Sequence, residues 1–185
     1  MDSFINQTHN ERELIIVSDG CQLTADIVQR FYSDNYRIKF IQLPKQPLFS
    51  GNVRHAGVEA ATGYVIAYLD HDDYLMPSHL ACMDGQFAMS EMWNGKIYDW
   101  IYFNDYIKFS KDIEKSSMRE VEMREGSIGC SSIAHRSDVA VSWEGCDGYG
   151  HDWHFISRLR EMHPNYGKCY GMSYTVCHIP KVLDV

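Results

Sequence analysis

Tyr64-Val65-Ile66-Ala67-Tyr68-Leu69-Asp70-His71-Asp72-Asp73 decides the fold class of this 185-residue chain. The apolar run, opened by Gly63, predicts a buried strand that ends in three carboxylates. Packing does not favour that ending. Carboxylates gathered at one strand tip repel each other unless a cation, a proton or a hydrogen-bonded ligand relieves them. In open α/β sheets the C-terminal ends of the strands are also where ligands sit. A divalent ion with a phosphate ligand meets both conditions. The competing expectation is an acidic turn leading into a helix, because Asp is common in turns and near helix starts.

The flanking residues extend the pattern. Within Ser50 to Gly63, the residues Val53, Ala56, Gly57, Ala60 and Ala61 recur at helical spacing, and Gly63 reads as the C-cap. Small residues on that stripe let the helix lie close on a sheet. Upstream, Glu13 to Val17 reads as a second buried strand, ending in Ser18-Asp19-Gly20 with another carboxylate at its tip. A helix is predicted over Thr24 to Tyr32, and Arg37 to Leu43 alternates as a strand does. Strands alternating with helices predict an α/β fold with a largely parallel sheet.

The ordered series Ile15 to Gly20, Gly51 to Gly63 and Ala67 to Asp73 resembles the nucleotide-sugar-binding half of glycosyltransferase family 2 enzymes. The resemblance runs from about residue 2 to 180 and is strongest over 13–83. It implies a GT-A-like (Rossmann-like) α/β fold, with a mostly parallel sheet flanked by helices and a small antiparallel acceptor-side part. It implies one domain over 1–185, with a donor half at 1–95 and an acceptor half at 96–185. The acidic motif would hold Mn²⁺ or Mg²⁺ across the donor's two phosphates, because a hard cation with oxygen ligands stabilises the departing diphosphate. By the resemblance, Asp72 is the direct metal ligand and Asp70 lies beside the ribose or the ion. Asp73 would cap the next helix near Pro77-Ser78, and His71 faces outward. Asp19 matches the acid that bonds the nucleotide base, usually uracil; an Asp-Gly turn is the simpler expectation. Arg54 matches an arginine near the donor phosphates; a surface arginine on a short helix is the alternative.

A second motif follows. Gly145 to Gly150 is a glycine-rich loop running through His151-Asp152-Trp153 into a helix, with Trp153, Ile156, Leu159, Arg160 and His163 on one side. It resembles the family's Glu-Asp motif, whose Asp is the general base of an inverting transfer and takes the acceptor hydroxyl's proton. Asp152 is the implied base. His151 stands where the family usually has Glu, and it and Trp153 fall on the acceptor side. Asp152 also suits an ordinary N-cap. Trp153 or Tyr149 would stack on a sugar. Gly126 to Ala134 resembles the strand beneath the acceptor pocket. Ser173 to His178 resembles a last strand whose His178 joins the metal. Lys111 to Glu125, dense in both charges, reads as a solvated helix or mobile loop. The family's opening strand lies mid-sheet beside Tyr64 to Leu69, whereas Met1 to Thr8 matches the helix after it. The expectation is therefore a fragment, a substitute segment in that slot, or an incomplete donor site.

Composition narrows the classes. The chain is 45% apolar and 23% charged, as globular domains are, and carries a net charge of −8 without a basic run. That argues against nucleic acid or an anionic membrane surface as the main partner. No apolar stretch is long enough to span a bilayer and no signal peptide is read, so the expected location is cytoplasmic or peripheral at a membrane. The six cysteines (21, 82, 130, 146, 169, 177) contain no C-x-x-C pair, so free thiols are expected and zinc is not. The expected function is metal-dependent inverting transfer from a nucleotide-sugar, UDP-linked by the resemblance, to a glycan or other hydroxyl acceptor, with a homodimer among the allowed assemblies. The rivals are a nucleotide-sugar-binding domain without turnover and a nucleotidyltransferase. The second lacks its usual Gly-rich, Lys/Arg-bearing loop here.

Overall fold

A computed structural model describes residues 1–108, 116–171 and 174–177. The chain runs α1 (Asp2–Ile5), β1 (Leu14–Asp19), α2 (Gln22–Tyr32), β2 (Ile38–Leu43), α3 (Asn52–Ala60), β3 (Val65–Ala67), β4 (Tyr74–Leu75) and α4 (His79–Asn94). It continues through β5 (Trp100–Phe103), β6 (Asp105–Lys108), β7 (Ser116–Arg119), a 3₁₀ turn (Cys130–Ser132), β8 (Ile133–Arg136), α5 (His151–Met162), β9 (Tyr166–Cys169) and β10 (Tyr174–Cys177).

The α/β expectation holds. β1 and β2 pair in parallel, so their C-terminal ends, Asp19 and Leu43, lie side by side. A second sheet has the order β3-β8-β5-β9, antiparallel about β8 and parallel between β5 and β9. A third has the order β4-β10-β6-β7, parallel only between β10 and β6. α3 lies against β1, where a Cβ on Gly57 would sit 3.3 Å from Val17 Cγ2.

Strand alternation builds two cores from one sheet. Trp100 and Ile133 face a cluster with Trp143, Phe155, Ile156 and Leu159 of the α5 side. Ile101, Phe103 and Ala134 face the other way, onto Met83 and Phe87 of α4 and Tyr174 of β10. In the first cluster the Trp143 and Phe155 rings stack at 3.9 Å and 2°. That packing fixes the height of α5 over the sheet.

Two boundaries differ from the sequence reading. α3 ends at Ala60, and Gly63 is not its cap. The Glu13 carboxylate instead collects Thr62 N at 2.6 Å, Thr62 Oγ1 at 2.8 Å and Gly63 N at 2.9 Å, which ends the helix early and pins the entry to β3. The charged stretch from Lys111 onward is not a solvated helix where it is described. It contains β7, Val121 is fully buried, and Arg119 makes a two-pronged ion pair with the fully buried Asp105. Ser132 Oγ adds a third bond to Asp105 at 3.0 Å. All six cysteines are free. Among the described residues no helix is long and apolar enough to cross a membrane.

Candidate functional site

The first turn of α3 sits directly on the loop that precedes α5. Gly51 N donates to Asp147 Oδ1 at 3.0 Å, and a Cβ on Gly51 would lie 2.3 Å from the Trp143 carbonyl oxygen. Only glycine permits that approach. One turn later Arg54 lies over the Trp143 ring, 5.1 Å from its centroid, a cation–π placement.

From there the guanidinium reaches both acidic motifs. Nη2 donates to Asp70 Oδ1 at 3.0 Å and lies 3.8 Å from Asp152 Oδ1. Nη1 meets His151 Nε2 at 2.9 Å. Burial works against the Arg54 charge, but Cys130, Asp152 and Asp70 around it more than restore it and raise its pKa. Burial also raises Asp70; Arg54 opposes that shift, while Asp152 and Asp72 add to it.

Gly150, with φ +88°, is the N-cap residue of α5. Asp152 is therefore not the N-cap but the second residue of the first turn, where the helix dipole favours a carboxylate. His151 Nδ1 faces the Gly148 carbonyl at 3.2 Å, and its Nε2 faces the Arg54 donor. Those partners place the proton on Nδ1 and leave Nε2 as the acceptor. Asp152 Oδ1, 3.2 Å from that Nε2, therefore receives no hydrogen bond although it is buried. The Asp152 side chain is 26% exposed, so its accessible part lies away from Oδ1.

The other acids divide by role. Asp72 is 58% exposed, and the exposed His71 lies 3.8 Å from its Oδ1. Asp73 does not cap α4, whose N-cap is Ser78. Its Oδ2 accepts from Tyr174 OH at 2.8 Å and its Oδ1 from Cys177 N at 2.8 Å. Tyr174 OH in turn accepts from Asp70 N at 3.1 Å. Asp73 thus ties β10 to the acidic tip. Asp19, at the end of β1, accepts from Gln46 N at 2.6 Å and pairs with Lys45, which lowers its pKa; it bonds to none of the Arg54 group. Trp153 is partly buried and packs against the α5-side core, whereas Tyr149 is 93% exposed. His178 and Ser173 lie outside the described residues.

The sequence reading missed three supporting groups. Tyr68, two residues before Asp70 and just beyond β3, donates to His135 Nε2 at 2.8 Å and accepts from Trp143 Nε1 at 3.0 Å. Burial holds His135 at about 4, so its imidazole is neutral, and Nδ1 is left to donate to the Arg136 carbonyl at 2.8 Å. The Cys130 thiol is fully buried against Arg54 and Asp152, and burial pushes it well above its usual range. Tyr174 is the third. The position of Tyr68 two residues before Asp70 was the one readable signal.

Comparison with known proteins matches this arrangement to a class. The family model described as Glycosyl transferase family 2 matches residues 1–85. Over this segment, a little under half of the chain, the sequence is similar to glycosyltransferase family 2. It is 39% identical over 80 residues to the putative glycosyltransferase EpsH of Bacillus subtilis (strain 168), a match covering 43% of this chain and 23% of EpsH. It is 36% identical over 78 residues to the chondroitin synthase of Pasteurella multocida (strain Pm70), covering 42% of this chain and 8% of that protein. The chain thus spans less than a quarter of the length of these relatives. Among solved structures, S. aureus TarS 1–349 in complex with UDP superposes with a TM-score of 0.72 at 17% identity, over 95% of this chain and 54% of that one. The complex of the same protein with UDP-GlcNAc gives 0.67, over 95% and 53%. At that identity the likeness shows the fold, which is GT-A-like.

Proposed function

We propose that the chain carries the donor and base sites of a metal-dependent, inverting glycosyltransferase acting on a UDP-linked sugar and a hydroxyl acceptor. The observation that carries this reading is the single Arg54 guanidinium lying within 3.0 Å of Asp70 and 3.8 Å of Asp152, which joins the tips of two motifs more than 80 residues apart. TarS, a protein of this fold, is known in complex with UDP and with UDP-GlcNAc, which supports the reading.

The donor set suits a hard cation: Asp72 offers a half-exposed carboxylate beside Asp70, both oxygen ligands of the kind Mn²⁺ and Mg²⁺ prefer. Among the described residues no group of three or more His, Cys, Asp or Glu side chains converges, so phosphate oxygens and water would complete the shell. When bound, the ion would neutralise the leaving diphosphate. Arg54 would add positive charge on the same side. Asp152, its Oδ1 turned to Arg54 and His151, would take the acceptor hydroxyl's proton on its accessible side as that oxygen attacks the anomeric carbon. His151, whose Nε2 meets Arg54 Nη1 at 2.9 Å, would hold Arg54 rather than contact the reacting atoms.

Calorimetric titration of UDP with and without Mn²⁺, on wild type, Asp72→Ala and Asp152→Asn, tests the reading. Metal-dependent binding is expected in wild type and Asp152→Asn and lost in Asp72→Ala. Transfer from UDP-sugars is expected to be lost in Asp152→Asn. Transfer surviving in Asp152→Asn would refute the base assignment, and UDP binding indifferent to metal would refute the metal site.

A further inference from the structure

Phe49 is the only non-glycine residue with positive φ among the described residues, at +57°. A bulky side chain in the left-handed region is strained and persists where the surroundings over-determine it. The surroundings here do so. Gln46 N bonds to Asp19 at the start of the loop, and Gly51 N bonds to Asp147 at its end. Gly148 N donates to the Phe49 carbonyl at 3.1 Å. The loop between β2 and α3 is thereby laced to the glycine-rich loop before α5. The enforced conformation lays the Phe49 ring on His151, 5.5 Å between centroids at 18°, with Tyr149 edge-on at 6.4 Å and 78°.

Burial does not account for this placement. Phe49 remains 46% exposed and Tyr149 93% exposed, so neither ring gains what a core position would give. The other aromatics near Asp152 are already used: Trp143 is fully buried under Arg54 and Trp153 packs into the core. Two exposed rings at near right angles, Phe49 stacked on the residue next to Asp152 and Tyr149 edge-on to Phe49, make a corner with apolar faces and no charge of their own.

Resting on the transferase reading above, we infer that Phe49 and Tyr149 form the wall of the acceptor subsite and take the apolar C–H face of a pyranose ring. The acceptor class is therefore a saccharide, seated with a hydroxyl toward Asp152. Cellobiose, with UDP and Mn²⁺ present, is the probe, and binding is read by ligand-observed NMR titration on wild type, Phe49→Ala, Tyr149→Ala and Phe49→Trp. Loss of one stacking ring is expected to weaken cellobiose about tenfold in either alanine variant, with Phe49→Trp close to wild type. UDP affinity, measured on the same samples, is expected to stay within about twofold. Cellobiose binding that is absent in wild type, or equal in wild type and both alanine variants, overturns the inference while leaving the UDP result to judge the transferase reading separately. Loss of UDP binding in Phe49→Ala overturns it in favour of a donor-side role for the loop. Unchanged denaturation midpoints in the alanine variants exclude misfolding as the cause of any loss.

Discussion

Arg54 donates from Nη2 to Asp70 Oδ1 at 3.0 Å, and this pair joins α3 to the tip of the β3 strand. Its partner acid is 39% exposed and the arginine 22%, so the pair is neither a dry ion pair nor a surface one. Arg54→Met would leave Asp70 facing Asp152 without a cation between them. Allowing for solvent at Asp70, the expected loss is about 1–3 kcal/mol in chemical denaturation at pH 7. Adding Asp70→Asn should recover part of that loss, because it removes the repulsion. A double variant no more stable than Arg54→Met alone would show that the guanidinium stabilises through Trp143 rather than the acids.

Tyr174 serves Asp73 and Asp70 N with one hydroxyl. Tyr174→Phe removes the donor to a half-buried carboxylate and the acceptor for a backbone N–H, a cost of about 1–3 kcal/mol. Tyr36→Phe, at an exposed ring, is the control and should change nothing measurable. Equal denaturation midpoints for Tyr174→Phe and wild type would remove Asp73 from the list of structural acids.

Glu13 makes stability depend on acid. Burial alone would raise its pKa, but Lys39 and the Thr62 and Gly63 donors outweigh burial and hold it at about 2, against 4.5 for the free group. A depressed carboxylate contributes stability that is present in full above its unfolded pKa and is lost as pH falls through the folded one. The window is thus from about 4.5 down to about 2. With its side chain 21% exposed, a contribution of roughly 1–2 kcal/mol is expected after screening. Glu13→Gln should be less stable at pH 7 and show a shallower loss across that window; parallel curves for the two proteins would refute the linkage.

What was legible in the sequence was periodic and local. β1, α2, β2, α3 and β3 each carry a complete pattern within a dozen residues, so their order, and the acids at their tips, could be read directly. The bonds that define the site are not local. Asp73 finds Tyr174 across 101 positions, and Arg54 finds His151 across 97. Read alone, Asp73 looked like a cap and Arg54 like either a phosphate ligand or a surface residue, because an isolated residue carries no sign of its distant partner. Phe49 left no trace either, since its strained φ is imposed by Gly148 and Asp147 rather than by its neighbours in sequence.

On the proposed reading, Asp70 would set the acid limit of donor binding. Burial raises its pKa, Arg54 offsets part of the rise, and Asp152 and Asp72 add to it. For stability the sign is opposite to Glu13: a raised carboxylate costs stability when ionised, and the cost fades as pH falls toward the unfolded pKa. For binding, a cation and a diphosphate require the ionised form. Affinity for UDP with Mn²⁺ should therefore begin to fall on acidification earlier than it would with an unshifted carboxylate. Calorimetry at successively lower pH, starting from pH 8 and continuing until the protein begins to unfold, would read the limb. Asp70→Asn should bind more weakly throughout and lack the limb, because the titrating group is gone. A limb that persists unchanged in Asp70→Asn would assign the titration to another group and leave Asp70 as an anchor for Arg54 alone.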